Sequence, residues 1–185
     1  MLAFVFWHWP FPEVDTQRYE ARLARFHEAL AKAKPQGFNL SMVFRVDGAP
    51  WTAQRDRAYE DWYLLDDSAA IDALNEAAVS GYRIEPHDEV AASAAGGTGG
   101  LYQLKEGIPD VGDCRHALWL VKPRSTNYED FYSQLRPWTE QPGVSLWRRH
   151  LVLGPTPEFC LLAPDEPKAY TGEGASPTRL DKIWP

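Results

Sequence analysis

The sequence predicts an α+β fold in which one strand–helix–strand–strand pattern occurs twice along the chain. Three observations predict it. A continuous apolar run, Leu2–Trp9, is followed by a helical stripe and then by residues alternating in polarity. The order through residue 104 reads β-α-β-β-α-(α)-β, a split β-α-β arrangement with helices on one face of an antiparallel sheet. After a segment holding Gly107, Pro109 and Gly112 the succession begins again at His116.

Leu2–Trp9 carries aromatic residues on both parities, which suits a strand buried on both faces. No Lys or Arg precedes it and no small-residue cleavage site follows, so a signal peptide is not expected. Asp15 is placed to cap a helix whose apolar stripe is Tyr19, Leu23, Phe26 and Leu30. Lys32 and Lys34 suit its C-terminus, and Pro35 and Gly37 stop it. Phe38–Val46 alternates as a strand with one strongly apolar face, and a second strand lies around Tyr59–Leu65. Asp66 or Asp67 caps a helix bearing Ile71, Leu74 and Ala78. Pro86 is expected to open a further helix through Ala95, which Gly96–Gly100 breaks before a short strand, Leu101–Leu104.

In the second half, His116–Val121 reads as a strand. Asn127 caps a helix with Tyr128, Phe131, Tyr132 and Leu135 on one side, ended by Pro137. Val144–Leu153 and Glu158–Leu162 read as two strands. Ordered anchors relate the halves: Trp9-Pro10 answers Lys122-Pro123, and Tyr19-Glu20 answers Tyr128-Glu129. Gly37–Leu40 answers Gly143–Leu146, and Trp62–Leu65 answers Phe159–Leu162. The division is a first ferredoxin-like repeat at 1–106, a linker at 107–114, a shorter second repeat at 115–163 with its last helix and strand missing, and a surface tail at 164–185.

Composition bounds the partners. Lys and Arg number 19 against 26 Asp and Glu, a net charge of −7, so no nucleic-acid binding is expected. No apolar run approaches the ~20 residues of a membrane-spanning helix. Two cysteines make no disulfide framework, and cytoplasmic use is the simpler reading. The aromatic content, eight each of Trp, Tyr and Phe, points either to an aromatic-lined pocket or to rings that fill one.

On its element order and repeat, residues 1–163 resemble the dimeric α+β barrel superfamily, in which two such sheets face each other and helices cover the outside. Here one chain would supply both sheets. The resemblance implies a barrel; members include cofactor-free monooxygenases, small-molecule isomerases and haem-dependent enzymes of the chlorite dismutase-like group, beside proteins with no catalysis assigned. Fold restricts function only weakly.

The candidate catalytic residues are His8 and His150. His8 lies between Trp7 and Trp9, as a proton donor or ligand in an aromatic pocket or, more plainly, as a hydrogen-bonded strand-end histidine. His150 shares a strand face with Arg148. Under the repeat these two answer Met42 and Phe44, so they line either an asymmetric pocket or an exposed edge. Trp7, Trp9, Arg45, Trp147, Arg148 and Tyr102 are the candidate substrate-binding residues. No metal-ligand spacing is present; His87-Asp88-Glu89 fans out around a helix start, and Cys160 reads as an inert buried thiol. No cofactor is favoured, and five histidines leave a haem axial ligand open.

The expectation is a small-molecule-binding barrel with an aromatic pocket between its sheets, an oxidoreductase or isomerase for a hydrophobic or aromatic compound. The alternative is a non-catalytic interaction protein with a filled barrel. The oligomeric state, monomer or homodimer, is left open.

Overall fold

A computed structural model describes residues 1–47, 49–52, 55–109, 111–155, 157–167 and 174–185. Among the described residues, eight strands form one closed antiparallel barrel, and four α-helices lie outside it. In chain order the elements are β1 (Leu2–Pro10), α1 (Thr16–Ala33), β2 (Phe38–Asp47), β3 (Ala58–Leu65), α2 (Ala69–Ala78), α3 (Ile84–Ala91) and β4 (Ala94–Gly107). There follow β5 (His116–Leu120), α4 (Tyr128–Thr139), β6 (Ser145–Arg149), β7 (Phe159–Ala163) and β8 (Ser176–Trp184). Around the barrel the order is β1-β3-β2-β8-β5-β7-β6-β4.

Side-chain alternation builds two cores on the same strands. On β1, Ala3, Val5 and Trp7 point into the lumen, while Leu2, Phe4, Phe6 and His8 point outward. On β3, Ala58, Trp62 and Leu64 point inward and Tyr59, Tyr63 and Leu65 outward. Both faces are covered, so every residue of β3 is buried. The stripe Tyr19, Leu23, Phe26 and Leu30 is buried as its spacing predicts. Asp15 caps α1 by accepting the Arg18 N–H at 2.9 Å.

The helix before the glycine run ends at Ala91, and Gly96–Gly100 lie inside β4. These glycines lengthen the strand because large rings of β1 rest on them. A Cβ on Gly99 would stand 2.9 Å from the Phe4 ring, and one on Gly96 would stand 3.0 Å from the Trp9 ring. Glycine has no side chain to alternate, so a strand of this kind leaves no pattern to read. The tail is likewise corrected. Residues 176–184 form β8, which pairs with β2 on one side and β5 on the other and so closes the barrel. Its Pro177 and its flanking glycines disguise the inward pair Thr178 and Leu180.

In the second half, the Asn127 side chain accepts the Asp130 N–H at 2.9 Å at the start of α4. Asn127→Ala should cost about 1 kcal/mol of stability, read from urea midpoints. A change below ~0.2 kcal/mol would show that α4 does not depend on this cap. The helix continues through Pro137 to Thr139 rather than ending there.

Candidate functional site

The expected cavity between the sheets is not where the space lies. Trp7, Trp62, Trp119, Trp147 and Tyr102, each fully buried, fill the lumen with edge-to-face and tilted contacts. The side chain of Glu60 sits among them, accepting the indole N–H of Trp7 at 2.5 Å and that of Trp62. Burial pushes its carboxyl up to about 7, against the opposing pull of the two indole hydrogen bonds.

The space lies on the other side of the same strands. A cavity of about 570 Å³ separates the outer face of β1, β3 and β4 from α1, α2 and α3. Phe4, Phe6, Gly96 and Gly97 contribute to the sheet side. Leu23, Phe26, Ile71, Leu74 and Val90 contribute to the helical side. Asn75 and His87 stand on the helices, and among the described residues no Lys or Arg lines it. A larger, more open groove of about 1080 Å³ runs along α1 and α3. Of these two, the smaller has buried titratable side chains in its wall, His8, Tyr19, Asp61 and Tyr63.

Those side chains form one hydrogen-bonded chain. His8 is 1 % exposed, its ring between Phe6 and Tyr59 at centroid distances of 5.4 and 5.6 Å. Its Nδ1 meets the Tyr19 hydroxyl at 2.7 Å and its Nε2 meets Asp61 Oδ1 at 3.1 Å. Asp61 Oδ2 accepts the Tyr63 hydroxyl at 3.0 Å and lies 3.3 Å from His27 Nε2. His27 Nδ1 meets the Ser41 hydroxyl at 2.8 Å. An ionised carboxylate only accepts, so both imidazoles present Nε2–H to Asp61. The tyrosine and serine hydroxyls then donate to the two Nδ1 atoms when the rings are neutral.

Burial alone would raise the Asp61 carboxyl. The imidazoles of His8 and His27, and their hydrogen bonds, overcome it and hold the group well below the usual carboxylate range. Burial, reinforced by Asp61, pushes the Tyr19 and Tyr63 phenols far above their ordinary value, so both remain proton donors. The arrangement is a fixed anion with a proton carrier on either side. Among the described residues, no group of three or more His, Cys, Asp or Glu is arranged to hold a metal ion.

Of the residues singled out from the sequence, His8 lines this cavity. Trp7, Trp147 and Tyr102 face the lumen, where the Trp147 indole donates to Ser145 at 2.9 Å and the Tyr102 hydroxyl has no hydrogen-bond partner among the described residues. Trp9, on the inward parity of β1, lies under the Arg55 guanidinium at 4.4 Å. Arg45 faces outward to Glu20 of α1 at 2.7 Å. Arg148 pairs with Glu158 at 2.7 Å and covers the Tyr128 ring at 3.9 Å. His150 follows the end of β6, where its N–H bonds the Leu101 carbonyl at 2.6 Å.

Arg148 therefore does not take the place of Met42. A bulge between Phe38 and Leu40 adds one residue to β2, and β6 has none against β7. The residue of β6 that points inward as Met42 does is Trp147. A slip of one residue exchanges the two faces. Asp61, His27, Tyr19 and Tyr63 were not singled out as site residues. Their one signal is the pair Glu60-Asp61 inside an otherwise apolar, aromatic strand.

No family model matches the chain, and no curated protein matches it. Its fold is similar to that of solved structures. One is a presumed monooxygenase from Fusobacterium nucleatum subsp. nucleatum, with TM-score 0.63 and 14% identity over 98% of this chain and 92% of that one. Another is a presumed monooxygenase from Lactobacillus acidophilus, with TM-score 0.59 and 10% identity over 98% of this chain and 94% of that one. At these identities the likeness establishes the α+β barrel fold and nothing finer.

Proposed function

We propose that this protein binds a hydrophobic, aromatic small molecule in the cavity between the helices and the outer barrel face. It acts on that molecule as an oxidoreductase or isomerase. The observation that carries the reading is that Tyr19, His8 and Asp61, in the wall of one apolar, ring-lined cavity, belong to a buried hydrogen-bonded chain that continues to His27 and Ser41. A proton leaving the ligand has a path to His8 Nδ1, directly or through the Tyr19 hydroxyl, which gives one proton as it takes another. Asp61 stabilises the imidazolium so formed, and His27 holds Asp61 ionised and in place. The names of the two structural neighbours favour the oxidoreductase side. The described lining, without Lys or Arg, favours an uncharged ligand.

The barrel is read as two copies of one ferredoxin-like unit. The support is its strand order: β4-β1-β3-β2 in one half and β8-β5-β7-β6 in the other follow the same succession of fourth, first, third and second strand. One chain closes it, so a monomer suffices. The net charge of −7 argues against nucleic acid as a partner, and a sequence with only two cysteines suits a reducing, cytoplasmic setting. The filled lumen favours a second reading, a binding protein without catalysis.

Titration of 2-naphthol, followed by its own fluorescence, tests the site. Saturable binding is expected, weakened about tenfold or more by Ala78→Trp, which fills the cavity from α2; a tenfold loss corresponds to about 1.4 kcal/mol. Wild-type protein that shows no saturable binding would overturn the proposal. Oxygen uptake with 2-naphthol bound separates an oxidoreductase from the non-catalytic reading.

A further inference from the structure

We infer that Gly97, acting through the Phe6 ring, sets the size of ligand the cavity admits. The inference rests on the binding role proposed above. Gly97 lies on the outward parity of β4, beside β1, where it pairs with His8. Its missing side chain is the space the Phe6 ring occupies. A Cβ built on Gly97 would stand 2.8 Å from Phe6 Cε2, closer still to Cζ, and 2.9 Å from the Trp7 carbonyl oxygen.

Two ring contacts fix how Phe6 lies. Phe6 lies flat enough over the strand to stack on the His8 ring at 5.4 Å and an interplanar angle of 21°. It also neighbours Phe4, at 6.3 Å and 18°. The sheet side of the cavity is thus a low shelf of rings lowered onto bare backbone. A methyl group at Gly97 leaves Phe6 no room there, and a well-packed sheet cannot yield beneath it. The ring must rise, and the open side is the cavity, which both residues line. Ligand size is thereby tied to a residue with no side chain, and the same displacement loosens the stack that holds His8.

The experiment compares two uncharged probes, 2-naphthol and the larger three-ring 9-phenanthrol, on wild type, Gly97→Ala and Phe6→Ala. Wild type is expected to bind both. Gly97→Ala should lose about tenfold or more affinity for 9-phenanthrol, the scale on which pockets reject excess apolar bulk, and much less for 2-naphthol. Phe6→Ala should shift the preference the opposite way, toward 9-phenanthrol. If wild type binds neither probe, the binding role itself fails. If wild type binds both and the ratio of the two affinities is unchanged in Phe6→Ala, the inference is overturned, whether or not Gly97→Ala folds. A folded Gly97→Ala that binds both probes as wild type does would overturn it equally.

Discussion

Replacing Asp61 by alanine is expected to lower the unfolding free energy by about 3–5 kcal/mol, the range for stripping one partner from a buried charged pair. The size follows from what the carboxylate holds. It receives His8 Nε2 at 3.1 Å, His27 Nε2 at 3.3 Å and the Tyr63 hydroxyl at 3.0 Å, all behind the helical layer. Alanine leaves three donors on His8, His27 and Tyr63, all buried, without their acceptor. Asp61→Asn keeps one acceptor oxygen and turns an N–H₂ toward another donor, so its loss should be smaller but well resolved. Urea denaturation at pH 7 measures both. A loss under ~1 kcal/mol for the alanine variant would mean the carboxylate does not organise the histidines.

The neighbouring carboxylate gives the second large effect, with the opposite sign in pH. Glu60 titrates at about 7 in the folded barrel, against 4.5 for the free group, because burial disfavours its charge. The folded state therefore keeps its proton through a range in which the unfolded chain has released it. The contribution of Glu60 is fully present below about pH 4.5, declines as pH rises toward 7, and is flat above. At about 1.4 kcal/mol per pH unit the difference between extremes is about 3 kcal/mol. Glu60→Gln cannot ionise. Relative to wild type it should gain about that amount of stability between pH 4.5 and pH 8.5, whatever its offset. The comparison cancels the histidines, which both proteins share. Parallel stability curves for the two proteins would show that Glu60 is not held neutral by the lumen.

The adjacency of these two carboxylates explains what could be read from the sequence and what could not. β1 was legible because its apolar residues fill both parities, and α1 because its stripe keeps helical spacing. His8 stood out in the sequence because a histidine between two tryptophans is unusual in itself, and it lines the cavity. Its partners were not. Glu60 and Asp61 are consecutive, so they face opposite sides of the sheet, and the side that holds the lumen depends on closure by β8. Nothing local to β3 decides it. His27 sits at the margin of the α1 stripe and reads as one more covered position. The pairing of Arg148 with Met42 failed on a single bulged residue in β2, an insertion that leaves the apolar alternation around it almost unchanged.

The place of β8 has a consequence for how the chain is made. On the ribosome, β1–β7 leave the exit tunnel before residues 176–184. Until then, the Val43–Asp47 edge of β2 and the His116–Trp119 edge of β5 have no strand between them. Without β8 the barrel would be an open sheet with two free edges, the form most prone to pair with a neighbouring chain. Protection of both edges should therefore arrive with one short segment, not build up gradually as the chain lengthens.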